Sequence, residues 1–207
     1  LVEPAGARIA LERVEAEAAG ARRLRGSQKR AAHARSLMGW QDLGIDVKPV
    51  QFPDSGVYNA NLVSIILNAE SAAAFDELTR TDRDDLIERQ DRGFWPNSFR
   101  AARFIPAVEY INANRYRYEL SQKVQNFMKD YDVVITPTFA GSQLSITNLT
   151  GNPVVCMPIG FNQRGNPLSI TLIGKLYDEA SILEAAKAYQ DKTDHHKKHP
   201  EKFTAKN

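Results

Sequence analysis

Two runs in this chain carry no charged side chain and are too short to be helices: Val133-Val134-Ile135 and Val154-Val155-Cys156-Met157-Pro158-Ile159. A strand with one face in water alternates apolar and polar residues, whereas a strand covered on both faces reads as a continuous apolar run. Each run therefore calls for a layer of structure on either side. A third strand alternates, with Leu168, Ile170 and Leu172 separated by Ser169 and Thr171. Asp178 then caps a helical pattern whose Ile182, Leu183, Ala186 and Tyr189 share one face, with Lys187 and Lys192 toward its C-terminal end. Strands separated by helices predict an α/β layer fold.

The rest of the chain from Trp40 onward fits that scheme. Ile45, Val47 and Val50 precede Phe52-Pro53 and read as a short strand ended by a turn. Tyr58, Leu62, Ile65, Ile66, Ala69, Ala72 and Ala73 recur at helical spacing and set Asn68 and Glu70 at the flanks, where Glu70 reads as a solvated carboxylate. Thr81 to Asp91 reads as a charged helix with Asp82, Asp84 and Asp85 in its first turn, broken by Gly93-Phe94-Trp95-Pro96. A long helix is predicted from Pro106 to Met128. Its stripe of Tyr110, Ala113, Arg117, Leu120, Val124 and Phe127 contains a single charge, Arg117. A guanidinium on an apolar stripe requires an acidic partner, carbonyl ligands or an opening to a cleft.

Composition narrows the function classes. At 207 residues and 43% hydrophobic the chain suffices for one core. The formal charge of +2 is unevenly placed: residues 1 to 39 hold eight Lys/Arg against four Glu, leaving 19 basic and 21 acidic residues in the remainder. That first segment is rich in Ala and Arg and has no aromatic residue to stack a base, so a nucleic-acid partner is not expected. Its good helix formers predict a helix of uncertain origin over residues 1–39, ahead of an α/β domain over 40–207. Cys156 is the sole cysteine, which excludes an internal disulfide, and it is expected to be a buried small hydrophobe. No run approaches the roughly 20 apolar residues of a membrane span, no signal-peptide core is present, and a cytoplasmic location is expected. The chain begins at Leu1 rather than Met, which reads as a processed, truncated or partial product.

The motifs add an identity to this pattern. Asp132-Val133-Val134-Ile135-Thr136-Pro137-Thr138 is followed by Asn148-Leu149-Thr150-Gly151-Asn152-Pro153, then Pro158-Ile159-Gly160, Gly165-Asn166-Pro167 and an aliphatic strand ending at Gly174. This order resembles the C-terminal half of the amidase signature family, which includes general amide hydrolases and the A subunit of tRNA-dependent amidotransferases. The resemblance covers residues 42 to 203 and is strongest from 131 to 175. It implies part of an open mixed sheet covered by helices. It also implies a Ser nucleophile activated by a second Ser held near a Lys, with a Gly-rich loop for the oxyanion. The eleven serines here are scattered, none adjacent to another and none in a Gly-rich loop. The nucleophile half is therefore lacking, no catalytic residue is assigned, and the chain alone is expected to be inactive.

What remains is expected to complete the fold and line one side of a cleft for a small amide substrate. Arg117 follows the family's helical pattern Tyr110-x-x-Ala113-x-x-x-Arg117, with a structural ion pair as its alternative. Gln143 and Asn148 fall in the stretch between strands, where sites on α/β sheets collect, with ordinary loop amides as the alternative. The segment from Thr138 to Asn148 is shorter than in many members of the family. The partners implied are a Ser-containing N-terminal half or amidotransferase subunits; the competing reading is a non-catalytic interaction module. His195, His196 and His199 sit among lysines without a completing carboxylate and read as a solvated tail rather than a metal site. No Walker loop, dinucleotide fingerprint or His-Glu-x-x-His helix occurs, so neither a metal nor a cofactor is expected.

Overall fold

Both apolar runs are strands, and both lie in one sheet that has five strands among the described residues. The computed structural model describes residues 8–12, 39–45, 47–53, 60–138, 142–200 and 203. The strands are β1 (Ile9–Glu12), β2 (Val47–Val50), β3 (Val133–Pro137), β4 (Val154–Phe161) and β5 (Pro167–Gly174), in the spatial order β2-β1-β3-β5-β4. β2, β1 and β3 run parallel, while β5 is antiparallel to both β3 and β4, so the sheet is mixed. The helices are α1 (Ala60–Ala74), α2 (Asp76–Arg80), α3 (Trp95–Ala102), α4 (Ala107–Met128), α5 (Gln143–Thr150) and α6 (Glu179–Thr193).

Strand alternation splits the core into two. Val133, Ile135, Ile170, Leu172, Met157 and Ile159 point to one face, where Ile182, Ala186 and Tyr189 of α6 cover them with Trp40. Trp40 stacks on Tyr189 with ring centroids 4.9 Å apart. Burial raises the Tyr189 hydroxyl pKa to about 12. Val134 and Ile173 point the other way and meet Leu62 and Ile66 of α1, Ala113, Leu120, Val124 and Met128 of α4, and Ile146 and Leu149 of α5. The layers demanded by Val133-Val134-Ile135 are thus α6 on one side and the α1, α4 and α5 group on the other.

Asp132 fastens the start of β3. Its carboxylate accepts the Arg8 backbone N–H at 2.9 Å and the Lys175 ammonium at 2.9 Å, tying the segments before β1 and after β5 to the same point. Burial favours the neutral carboxyl here, but these hydrogen bonds outweigh it and hold the Asp132 pKa at about 2. At the far end of the sheet the β4–β5 hairpin turns through Asn162 to Asn166. The Asn162 side chain accepts the backbone N–H groups of Arg164 and Asn166, and Gly165 takes a φ of 75° that favours glycine.

Several expectations are corrected. Ile9–Glu12, inside the segment read as helical, is a strand paired on both sides; residues 1–7 and 13–38 lie outside the described residues. Thr81 to Asp91 is not a helix: α2 ends at Arg80 and a 3₁₀ turn spans Arg83–Leu86. Asp84 of that turn is fully buried, 2.7 Å from Arg100 on α3. The Gly93–Pro96 break is followed by α3, a helix not foreseen, with Pro96 in its first turn. On α6, Ile182, Ala186 and Tyr189 are buried as expected, while Leu183 is exposed. Cys156 is exposed rather than buried. Tyr58, placed on the α1 stripe by its spacing, lies outside the described residues.

Candidate functional site

Ligands of α/β sheets gather beyond the carboxyl ends of parallel strands, which here means the end of β3. The sequence there is Thr136-Pro137-Thr138. Thr136 and Thr171 are cross-strand partners, as are Thr171 and Cys156, so the three share the face that carries Val134 and Ile173. Thr138 Oγ1 lies 3.0 Å from Thr171 Oγ1 and 3.3 Å from Cys156 Sγ, and Cys156 Sγ lies 3.4 Å from Thr171 Oγ1. Two hydroxyls and a thiol therefore form a closed triangle on the sheet. Such groups can donate to or accept from an amide. Among the described residues these groups bond to one another and to no imidazole, amine or carboxylate, so the triangle presents no general base to a nucleophile.

The element that follows is α5, which holds two of the three expected binding residues and meets the third. Gln143 and Asn148 are helical rather than in a loop, and five residues apart they point to different sides. Gln143 is buried at the first turn, and its Oε1 has no hydrogen-bond partner among the described residues. Asn148 is exposed and bonds back to the Leu144 carbonyl at 2.8 Å. Arg117, half-buried on α4, donates its Nε–H to the Leu149 carbonyl at 2.7 Å. The charge on the α4 stripe is thus resolved by a carbonyl ligand at the C-terminal end of α5, where the helix dipole favours a cation. Gly151 caps that end with a φ of 77°. Beyond it, Asn152 accepts from Thr150 at 2.6 Å and donates to the Gly174 carbonyl at 2.8 Å, pinning the turn to β5. Arg117, Gln143 and Asn148 are gathered on and around one short helix, but their side chains do not converge on one point.

A cleft of about 450 Å³ opens between α1, α3 and α4, lined by small residues such as Ala69, Ala73 and Ala102. Glu70 and Tyr110 also line it, and the Tyr110 hydroxyl donates to Glu70 Oε1 at 3.1 Å. Across the cleft Asp76 is paired with Arg103, and that contact lowers its carboxyl pKa. Tyr110 and Arg117 are seven residues apart on α4, so the cleft and the α5 anchor lie along one side of that helix.

Sequence reasoning missed the hydroxyl and thiol triangle. Its signal was present in the alternation of Thr171 with Ile170 and Leu172, which marks a polar residue inside a core strand. The three histidines also divide: His195 packs over Tyr189 and against Gly160, with its Nδ1 buried, so it is not part of a solvated tail. Burial, together with the charge of Lys198, lowers its pKa. Among the described residues no group of three or more His, Cys, Asp or Glu is placed to hold a metal ion, and no helix is long and apolar enough to cross a membrane.

No family model matches the chain. Among curated proteins it is similar to the A subunit of the glutamyl-tRNA(Gln) amidotransferase of Oceanobacillus iheyensis, 30% identical over 116 residues, which take in 47% of this chain and 24% of that protein. It is 27% identical over 118 residues to the putative amidase AmiD of Mycobacterium tuberculosis, covering 46% of this chain and 25% of the other. Among solved structures, a peptide amidase from Stenotrophomonas maltophilia superposes with a TM-score of 0.74 at 20% identity, over 97% of this chain and 45% of that one. A bacterial aryl acylamidase of the amidase signature enzymes superposes with a TM-score of 0.74 at 13% identity, over 93% and 45%. The chain spans less than half the length of each of these relatives. Its motifs and its mixed sheet are similar to the C-terminal portion of amidase signature proteins, and the likeness to the solved structures is one of fold.

Proposed function

We propose that the chain forms one wall of the substrate cleft of an enzyme that hydrolyses a carboxamide C–N bond, and that it does no chemistry without a Ser-bearing portion. The observation that carries this reading is the triangle of Thr138, Thr171 and Cys156 at the end of β3, which offers hydrogen-bonding groups but no base. A Ser-Ser-Lys apparatus supplied from outside these residues would bring the activated nucleophile. Arg117 serves as a positioning residue, fixing α5 through the Leu149 carbonyl. Asn148 is the exposed amide on that helix and is assigned to the substrate side, with Gln143 closing the inner end. A cytoplasmic location goes with this reading.

A second reading is favoured by the 30% identity to an amidotransferase polypeptide. In it the same wall belongs to one component of an amidotransferase-like assembly, and the chain is an interaction module rather than a free hydrolase. One experiment separates the two. The purified chain is sized by chromatography with light scattering, and hydrolysis of a simple aryl amide is followed with and without a separately expressed Ser-containing portion. Hydrolysis that appears only on mixing supports the first reading. A complex that forms and stays inert on the amide supports the second. Sustained hydrolysis by the chain alone would contradict both.

A further inference from the structure

The helical excursion from Phe75 to Ile105 contributes no residue to either core cluster. It is held by contacts of its own. Phe99 of α3 stacks on both Phe75 and Trp95, with ring centroids 4.9 and 5.5 Å apart, and Arg103 just after α3 pairs with Asp76. These contacts fix α3 against α1 and leave the cleft of about 450 Å³ open between α1, α3 and α4, a volume inside the roughly 300–1,000 Å³ of small-molecule sites. Ala69 and Ala73 of α1, Ala102 of α3 and Ile105 give it walls of carbon. Two carboxylates also line it, and they are unlike. Asp76 is neutralised by Arg103 and by Arg80, the latter at 2.8 Å. Glu70 forms no ion pair among the described residues: its hydrogen bond comes from a neutral phenol, Tyr110, and engages Oε1 alone.

We propose that this cleft binds a primary alkylammonium ion, with its nitrogen on Glu70 Oε2 and its alkyl chain along the alanines. The unneutralised carboxylate calls for a cation, and the carbon walls call for an apolar stem. A guanidinium recognises a carboxylate through both oxygens in parallel, and Oε1 is already engaged by Tyr110. An ammonium needs only Oε2, and a second of its N–H groups can reach the Tyr110 oxygen, which keeps its lone pairs after donating its hydrogen. A metal ion is a poor fit, since among the described residues no group of three or more His, Cys, Asp or Glu is placed to hold one. None of the lining residues belongs to the triangle of Thr138, Thr171 and Cys156 or to α5, so this site is separate from the wall assigned to hydrolysis.

The full 207-residue chain is titrated with n-butylammonium chloride and, in parallel, with n-butanol, and backbone amide NMR shifts are followed at constant ionic strength. Butylammonium is expected to shift the amides of Ala69, Ala73, Ala102 and Tyr110 along a saturable curve. n-Butanol should need at least about 10-fold more ligand for half-saturation, the factor that one charge-assisted hydrogen bond contributes. Glu70→Gln keeps an acceptor for Tyr110 but removes the charge; it should erase the preference for the ammonium and leave the n-butanol curve unchanged. Glu184→Gln, at an exposed position on α6, should leave both curves as they are. Ala73→Phe puts a ring into the cleft and should abolish both, while unchanged α6 amides show that the fold is intact. Equal curves for the two ligands, a preference that survives Glu70→Gln, shifts confined to residues outside the cleft, or tighter binding of n-butylguanidinium would each overturn the assignment. Amide hydrolysis plays no part in this readout, so failure of the site and failure of the hydrolase reading are separate results.

Discussion

Arg117 shows how one charged residue decides the conformation of an element it does not belong to. Its Nε–H satisfies the Leu149 carbonyl, one of the last carbonyls of α5, which has no partner inside its own helix. An Arg117→Met substitution keeps most of the volume of the stem but leaves that carbonyl unpaired beside a buried Leu149. The expected loss is about 1–3 kcal/mol, read as a lower midpoint in urea. Arg117→Lys restores a cation without the planar donor and should recover part of that loss. A loss no larger than that of an exposed Arg, such as Arg164→Met, would show that the contact contributes nothing. The spacing of the α4 stripe identified this position as one needing a ligand. It did not reveal that the ligand is a backbone carbonyl 32 residues away, because that depends on how α5 is seated.

At the level of elements, local patterns succeeded where one apolar face meets one partner and failed where a polar group is pulled inward. α4 starts within a residue of its prediction because Pro106 cannot continue a helix backwards, and the stripe from Tyr110 to Phe127 has a sheet and two helices to cover it. The Thr81 to Asp91 segment has helical composition, yet Asp82 sits at a φ of 55° and the chain turns so that Asp84 reaches Arg100. No local signal distinguishes Asp84 from the neighbouring carboxylates. Arg100→Ala leaves that buried carboxylate without its counter-ion and should cost about 3 kcal/mol, whereas Arg100→Ala combined with Asp84→Leu should cost clearly less. If the double variant is as unstable as the single one, the ion pair is not what sets the turn. Gly174 is the converse case, a motif position whose reason appears only in three dimensions. A Cβ there would lie 2.7 Å from Ile182 Cγ2 and 3.3 Å from the Asp178 carbonyl, where α6 leaves the sheet. Gly174→Ala should therefore lower stability by about 1–3 kcal/mol, and Ile182→Val in the same chain should relieve part of the clash.

For the molecule as a whole, the two faces of the sheet are held at opposite ends by groups that both weaken the fold in acid. His195 packs over Tyr189 and Gly160, and its pKa lies below the ordinary 6.5 because burial disfavours the charged ring. Above 6.5 it is neutral whether the chain is folded or not. As the pH falls below that, the unfolded chain takes up the proton first, and stability declines until the lower folded value is passed. Asp132 behaves similarly at lower pH. Its full contribution is present above the ordinary 3.8 and is lost as the pH falls toward about 2, through protonation of the carboxylate that gathers Arg8 and Lys175. After allowance for solvent screening that contribution is about 1–2 kcal/mol. The melting midpoint should thus be level above neutrality and fall in two separate steps on acidification. His195→Gln should remove the first step and leave the second, while Asp132→Asn should lower the plateau and shrink the second, to which the paired carboxylates of Asp76 and Asp194 also contribute. The order of the steps is a test of architecture as well as of titration: a first step surviving in His195→Gln would mean that the turn after α6 does not hold its ring against β4.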